Sequence, residues 1–199
     1  MIANDGGPMY SRVYNGTLDL GNNDLIVDYT GASPFADVQD MVRSGFNFGD
    51  WLGKGITSST AANPLASGNY ALGVAENGLL TNPFGSDDPN DPNSLNPKFD
   101  DQTVDNTTVL VKFTHRVDLD LNGLVDGNDA AIFNGGYSEG DAAIWQTGDV
   151  DYDGVYSSND AAIFNSFYDE SLGHLPEPSA LSLLAVAGLG LARRRRASR

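Results

Sequence analysis

The segment "DLDLNGLVDGNDAAIFN" at residues 118–134 is spelled again as "DVDYDGVYSSNDAAIFN" at residues 149–165, with the aspartates of its opening and of "NDAAIFN" in the same places. Whatever the first copy folds into, the second is set to build again. Counting Asp118 as position 1, Asp120 stands at 3, Asn122 at 5, Gly123 at 6, Leu124 at 7, Asp126 at 9 and Asp129 at 12. The second copy places Asp149, Asp151, Asp153, Gly154, Val155, Ser157 and Asp160 identically. Each copy carries four carboxylates, which repel one another until a divalent ion enters. A hard cation needs six to eight oxygens at about 2.3–2.6 Å, and only a chain coiled tightly round the ion gathers positions 1, 3, 5 and 12, with glycine at 6 for the sharp bend and a backbone carbonyl at 7.

The balance of charge agrees. Twenty-seven acids against eleven bases give a net charge of -16, so nucleic acid is excluded as a partner by repulsion over most of the surface. Five of those bases (Arg193, Arg194, Arg195, Arg196 and Arg199) fall in the last seven residues, so the rest of the chain is more acidic still. There is no cysteine, which removes disulfides, thiolate zinc sites and cysteine nucleophiles together.

The spacing is that of the EF-hand calcium loop, with one departure: position 12 is aspartate in place of the usual bidentate glutamate. Paired loops ending in aspartate, each running straight into a short helix ("NDAAIFN") with no strong helix before it, resemble type I dockerin modules. The resemblance covers about residues 115–168. It implies two Ca2+ ions, held by Asp118, Asp120, Asn122, Leu124 (carbonyl), Asp126 and Asp129 in loop one and by Asp149, Asp151, Asp153, Val155 (carbonyl), Ser157 and Asp160 in loop two. Dockerins are gripped by a cohesin at positions 10 and 11, here Gly127 and Asn128, then Ser158 and Asn159. Loop two opens with the Gly148-Asp149 usual in that family, whereas Arg116 and Val117 precede Asp118, so loop one is expected to be the weaker site. Residues 115–174 alone bury little surface, so calcium is expected to staple them. Val125 and Tyr156 would pair in a short bridge over a core of Ile132, Phe133, Ile163 and Phe164.

Upstream, "TLDLGNNDLIVDY" (17–29) reads as a hairpin turning at Gly21-Asn22-Asn23. "SPFADVQDMVRSG" reads as an amphipathic helix of about three turns, with Ser33 as cap, Pro34 at its start, Phe35, Val38, Met41 and Val42 on one face, Asp37 and Asp40 on a solvated face, and Gly45 as its stop. In "GFNFGDWLGKGITSS" the aromatics suit core and loop packing, with a sugar-binding cleft as the alternative. "NYALGVAENGLL" is ambiguous between strand and helix. "GSDDPNDPNSLNP" (85–97) has the composition of an exposed loop or linker, and "TVLVKFT" (108–114) alternates as a strand.

The C-terminus joins Pro176-Glu177-Pro178, an apolar run from Ala180 to Ala192, and the block Arg193, Arg194, Arg195, Arg196. Thirteen residues span about 20 Å as a helix, short of a bilayer core, and the arginines act as a cytoplasmic stop. The three parts resemble the PEP-CTERM sorting signal of exported bacterial proteins, which implies a transient inner-membrane anchor, processing by an exosortase, and retention at the cell surface or in an exopolymer matrix. Residues 13–114, notably "LDLGNNDLIVDYTGASP", are similar to the region before dockerin-like modules in planctomycete-type surface proteins. Since "MIANDGGPMYSRV" lacks a secretory signal, a missing N-terminal leader or misassigned start is expected.

The organisation read from the sequence is therefore α+β. A small β-rich domain (1–114) with one helix, carrying an acidic loop or linker at 85–106, precedes a mostly α, dockerin-like calcium module (115–174) and a sorting segment with an apolar helix (175–199). The function expected is that of an exported, surface-retained, non-enzymatic calcium-binding protein. The alternative is a fragment of a polysaccharide-degrading enzyme or its cohesin-binding module. Eight aspartates are absorbed by the loops, and no nucleophile and base pair off elsewhere, His115 and His174 reading as surface residues.

Overall fold

The computed structural model describes residues 12–63 and 68–172. Pro176, Glu177, Pro178, Arg193, Arg194, Arg195, Arg196 and His174 lie outside the described residues, as does the stretch where an apolar C-terminal helix is expected. Among the described residues no helix is long and apolar enough to cross a membrane.

The fold mixes strands and helices. Strand β5 (Thr108–His115) is central in a three-stranded antiparallel sheet, flanked by β2 (Leu25–Asp28) and β4 (Tyr70–Glu76). Val109, Leu110 and Val111 are fully buried, so consecutive residues of β5 face packed protein on both sides of the sheet. "NYALGVAE" thereby resolves as strand, and a single 3-10 turn (Asn77–Leu79) ends it.

The hairpin expected at 17–29 does not form. Strand β1 (Thr17–Asp19) pairs in parallel with β3 (Gly55–Thr57), while β2 runs antiparallel to β5 with Ile26 opposite Leu110 and Val27 opposite Val109. Three- and four-residue strands gain little from each other, and β2 gains more from apolar cross-strand partners on β5. The turn residues serve the split: the Asp19 carboxylate accepts the amides of Gly21 (2.9 Å) and Ser59 (2.8 Å), tying together the segments that leave β1 and β3.

Helix α1 (Phe35–Phe46) forms where its periodicity placed it, with Val38, Val42 and Phe46 buried. Three local expectations are corrected. Pro34 itself stands at the cap, although Ser33 Oγ still accepts the Phe35 amide at 3.1 Å. Gly45 does not stop the helix, which runs to Phe46 and closes on Asn47 in the left-handed region (φ 45°). Glycine is needed at 45 for a different reason, since a Cβ there would lie 1.9 Å from the Ile56 carbonyl oxygen of β3. Asp40, read as solvated, is buried, accepting from the Tyr14 hydroxyl at 2.7 Å and from Arg43 Nε at 2.9 Å. Asp37 stays exposed and pairs with Arg12.

Residues 85–97 are exposed over most of their length but are not a free linker. The Gly85 amide donates to Pro97 O (2.7 Å), Gly85 O accepts from Val104 (3.1 Å), and Phe84 meets buried Phe99 edge-on at 5.1 Å.

Helices α2 (Gly127–Gly136) and α3 (Ser158–Leu172) follow the two repeat loops. Their equivalent residues Phe133 and Phe164 stack at 4.3 Å, forming with partly buried Ile132 and Ile163 the small core expected there. The described residues up to Tyr168 group as one compact unit, so the change of sequence pattern at residue 115 is not a break in packing. A second unit, 169–199, contains only the end of α3 among the described residues.

Candidate metal centre

Both loops begin where regular structure ends: loop one follows β5 directly, and loop two follows the 3-10 turn Trp145–Thr147. That short turn is what stands in place of a helix before loop two. The two loops are built on the same hydrogen bonds. Asp118 Oδ2 accepts the Gly123 amide at 2.9 Å, and Asp149 Oδ2 accepts the Gly154 amide at 3.1 Å. Each bond folds position 6 back on position 1, which is the sharp bend that glycine permits, with φ of 88° at Gly123 and 90° at Gly154.

The carboxylates at position 12 close each loop from below. Asp129 Oδ1 accepts the Leu119 amide (2.7 Å) and Oδ2 that of Asp126 (2.8 Å); Asp160 Oδ1 accepts from Val150 (3.0 Å) and Oδ2 from Ser157 N (3.0 Å). Aspartate at this position therefore spends its oxygens partly on loop amides. Asp126 also accepts from the Asn128 amide (2.7 Å) and Ser157 Oγ from that of Asn159 (3.1 Å), so position 9 caps the outgoing helix in both copies.

What remains is pointed. Asp118 and Asp149 are completely buried, yet Oδ1 of each has no hydrogen-bond partner. A buried carboxylate oxygen without a donor is costly, and two at equivalent positions of a repeat call for a cation. Burial raises both groups from the ordinary carboxyl value, Asp118 to about 7 and Asp149 to about 8, with neighbouring loop aspartates adding to the effect. Asp129 is pushed up to about 6, and Asp160 upward, for the same first reason.

Carboxylate oxygens of Asp118, Asp120 and Asp129 lie within 4.8 Å of one another, as do those of Asp149, Asp151 and Asp153. The structure thus brings together three of the expected ligands in each loop. Asn122 Oδ1 accepts the Leu124 amide (2.8 Å), and Asp153 Oδ1 that of Val155 (2.9 Å), which positions both side chains along the loop. Leu124 and Val155 are exposed, as suits residues offering only a carbonyl. An all-oxygen set rich in carboxylate suits a hard divalent cation in preference to softer metals.

Comparison with protein-family models, with curated proteins and with solved structures returns no match for this chain.

Two features escaped the sequence reading. The expected bridge between Val125 and Tyr156 is absent; Val155 pairs instead with Ala142, and Tyr156 N donates to Asp141 O at 2.8 Å. The segment between the repeats folds back along loop two and takes the pairing that loop one was expected to supply. The second feature is position 4. Leu121 and Tyr152 are buried with left-handed backbone (φ 60° and 61°), an arrangement that costs free energy in non-glycine residues. Both plug the loops into β4: Tyr152 OH donates to Leu72 O at 2.7 Å, and a Cβ on Gly73 would lie 2.6 Å from Leu121 Cδ2 and 2.5 Å from the Trp145 ring. The signal was a large apolar residue at position 4 of both copies. Gly127, Asn128, Ser158 and Asn159 begin their helices and are exposed, with Asn159 Nδ2 directed to Asp151.

Proposed function

We propose that the chain is an exported, surface-retained calcium-binding protein whose paired loops form a dockerin-like module, binding two Ca2+ ions and serving as a structural element or as the docking face for a cohesin-like protein. The observation that carries the calcium reading is the pair of buried carboxylate oxygens, Asp118 Oδ1 and Asp149 Oδ1, orphaned at position 1 of both loops. Calcium at each loop supplies the missing partner, neutralises carboxylates that burial disfavours as anions, and accounts for the duplication of the ligand spacing. Export and surface retention rest on the tripartite C-terminal segment, with exosortase as processing partner. Gly127-Asn128 and Ser158-Asn159 are the residues a protein partner would meet, since they are exposed at equivalent helix starts.

The test is calorimetric titration of the metal-stripped chain with calcium, beside Asp118→Asn and Asp149→Asn. Two ions per chain are expected in the wild type and one in each variant, with loop two filling first. No uptake, or uptake indifferent to both substitutions, refutes the proposal.

A further inference from the structure

A cavity of about 820 Å3 lies beside loop two, in the size range that takes a small organic ligand. Its lining includes Phe46 and Phe48 from the end of α1 and the turn after it, Arg116, and the loop-two residues Asp151 and Asp153.

Three observations describe what would enter it. Phe48 is fully exposed and held with φ 61°, so a bulky ring stands at the cavity with no protein packed on it and with backbone that such a residue rarely adopts. Arg116 directs Nε and Nη2 to Val150 O, both at 3.2 Å, and lies over the Phe46 ring at 5.4 Å. Of the three described arginines it is the one with no carboxylate at ion-pair distance, since Arg12 pairs with Asp37 and Arg43 with Asp40. A half-buried guanidinium lining a cavity in this way suits a carboxylate, whose planar geometry its donors match. Lastly, two acids that share the lining with Arg116, Asp151 and Asp153, belong to the carboxylate cluster of loop two. A divalent ion held by that loop draws in these two carboxylates and offsets their charge locally, which lessens the repulsion of an anion arriving at Arg116; without it the same acids repel that anion.

We infer that this cavity is a calcium-dependent binding site for an acidic saccharide, with the sugar ring stacked on Phe48 and its carboxylate on Arg116. The inference rests on loop two taking calcium, as proposed above. A sugar fits better than a plain organic anion because an exposed aromatic ring stands at the site and polar residues, Ser44, Asn47 and Asn159, are among its lining. The chain's net charge of -16 opposes long polyanions, so recognition falls to one or two sugar units.

The experiment is titration of the full chain with digalacturonate at low salt, in calcium and in chelator, beside cellobiose as neutral sugar and tetraglutamate as acidic peptide. Calcium uptake is measured first on the same preparation. Saturable digalacturonate binding in calcium is expected, weakened about tenfold or more by chelator, by Phe48→Ala and by Arg116→Gln, with cellobiose and tetraglutamate weaker by a similar factor. Phe48→Ala decides the matter should Arg116→Gln disturb folding, because the exposed ring can be removed without opening the core. A chain that takes up calcium but ignores digalacturonate, or binds it equally well as Phe48→Ala, overturns the saccharide site alone. Equal binding of tetraglutamate overturns it in favour of a peptide. A chain that takes up no calcium yet binds digalacturonate overturns the calcium reading and the dependence stated here.

Discussion

Removing calcium from the whole chain should destabilise the sheet as well as the loops. The perturbation is a chelator added to the calcium-loaded protein. With a dissociation constant of about 10 µM per loop, at the weak end of the sensor range, calcium at about 1 mM stabilises the fold by about 2.7 kcal/mol per site, or about 5 kcal/mol for two. For a domain of this size each kcal/mol moves the melting temperature by about 2–4 °C, so chelation should lower it by about 10–20 °C. The structure says where that loss is felt. Tyr152 and Leu121, held by loops two and one, pack on β4, and Trp145 lies against Gly73 of the same strand. Loops and sheet therefore share one core and should melt together. The two tryptophans meet the shared core from two sides, Trp51 against Phe46 of α1 and Tyr152 of loop two, and Trp145 against Gly73 of β4. Thermal unfolding of Trp51→Phe and Trp145→Phe, each followed by the fluorescence of the remaining tryptophan and by circular dichroism, should give one coincident transition that moves as a unit. Unchanged melting in chelator refutes the metal sites. Two separate transitions, with only the Trp145 signal sensitive to chelator, refute the shared core.

The pH dependence should invert with calcium. Asp149 sits at about 8 in the fold against 3.8 ordinarily, and Asp118 at about 7, so the metal-free fold holds protons that the unfolded chain has released. Its stability is fullest below about pH 4 and falls as pH rises to about 8; the calcium-loaded fold, needing ionised carboxylates, should instead lose stability on acidification, and denaturant midpoints at pH 5 and pH 8 check both signs. Tyr152→Phe removes the 2.7 Å bond to the Leu72 carbonyl and should cost about 1–2 kcal/mol by urea denaturation while leaving calcium stoichiometry at two. Gly45→Ala, ordinarily worth about 1 kcal/mol of added helix stability, should here destabilise by about 2 kcal/mol or more, because its methyl would lie 1.9 Å from Ile56 O; a raised melting temperature would show that α1 and β3 can move apart at little cost.

The sequence by itself determined whatever depends on a dozen neighbouring residues. The bend at Gly123 and Gly154, the return of position 6 onto position 1, and the helix after each loop are short-range consequences of spacing, and they stand as read. So does α1, whose apolar stripe is local, and so does β5, whose run of Val109, Leu110 and Val111 has no stable place outside a core. What only the tertiary structure decided is which distant segment each piece meets. Leu25 to Val27 chose β5 over a hairpin because long-range apolar pairing outweighed a nearby turn. Asp40 went inside because Tyr14, 26 positions away, brought it a hydroxyl donor. Position 4 of the loops carried no meaning until β4 supplied Gly73, with no side chain in the way of Leu121, and the Leu72 carbonyl that Tyr152 meets. Ligand spacing is written in the local geometry of the backbone, whereas burial and partnership depend on surfaces assembled from segments far apart in the chain.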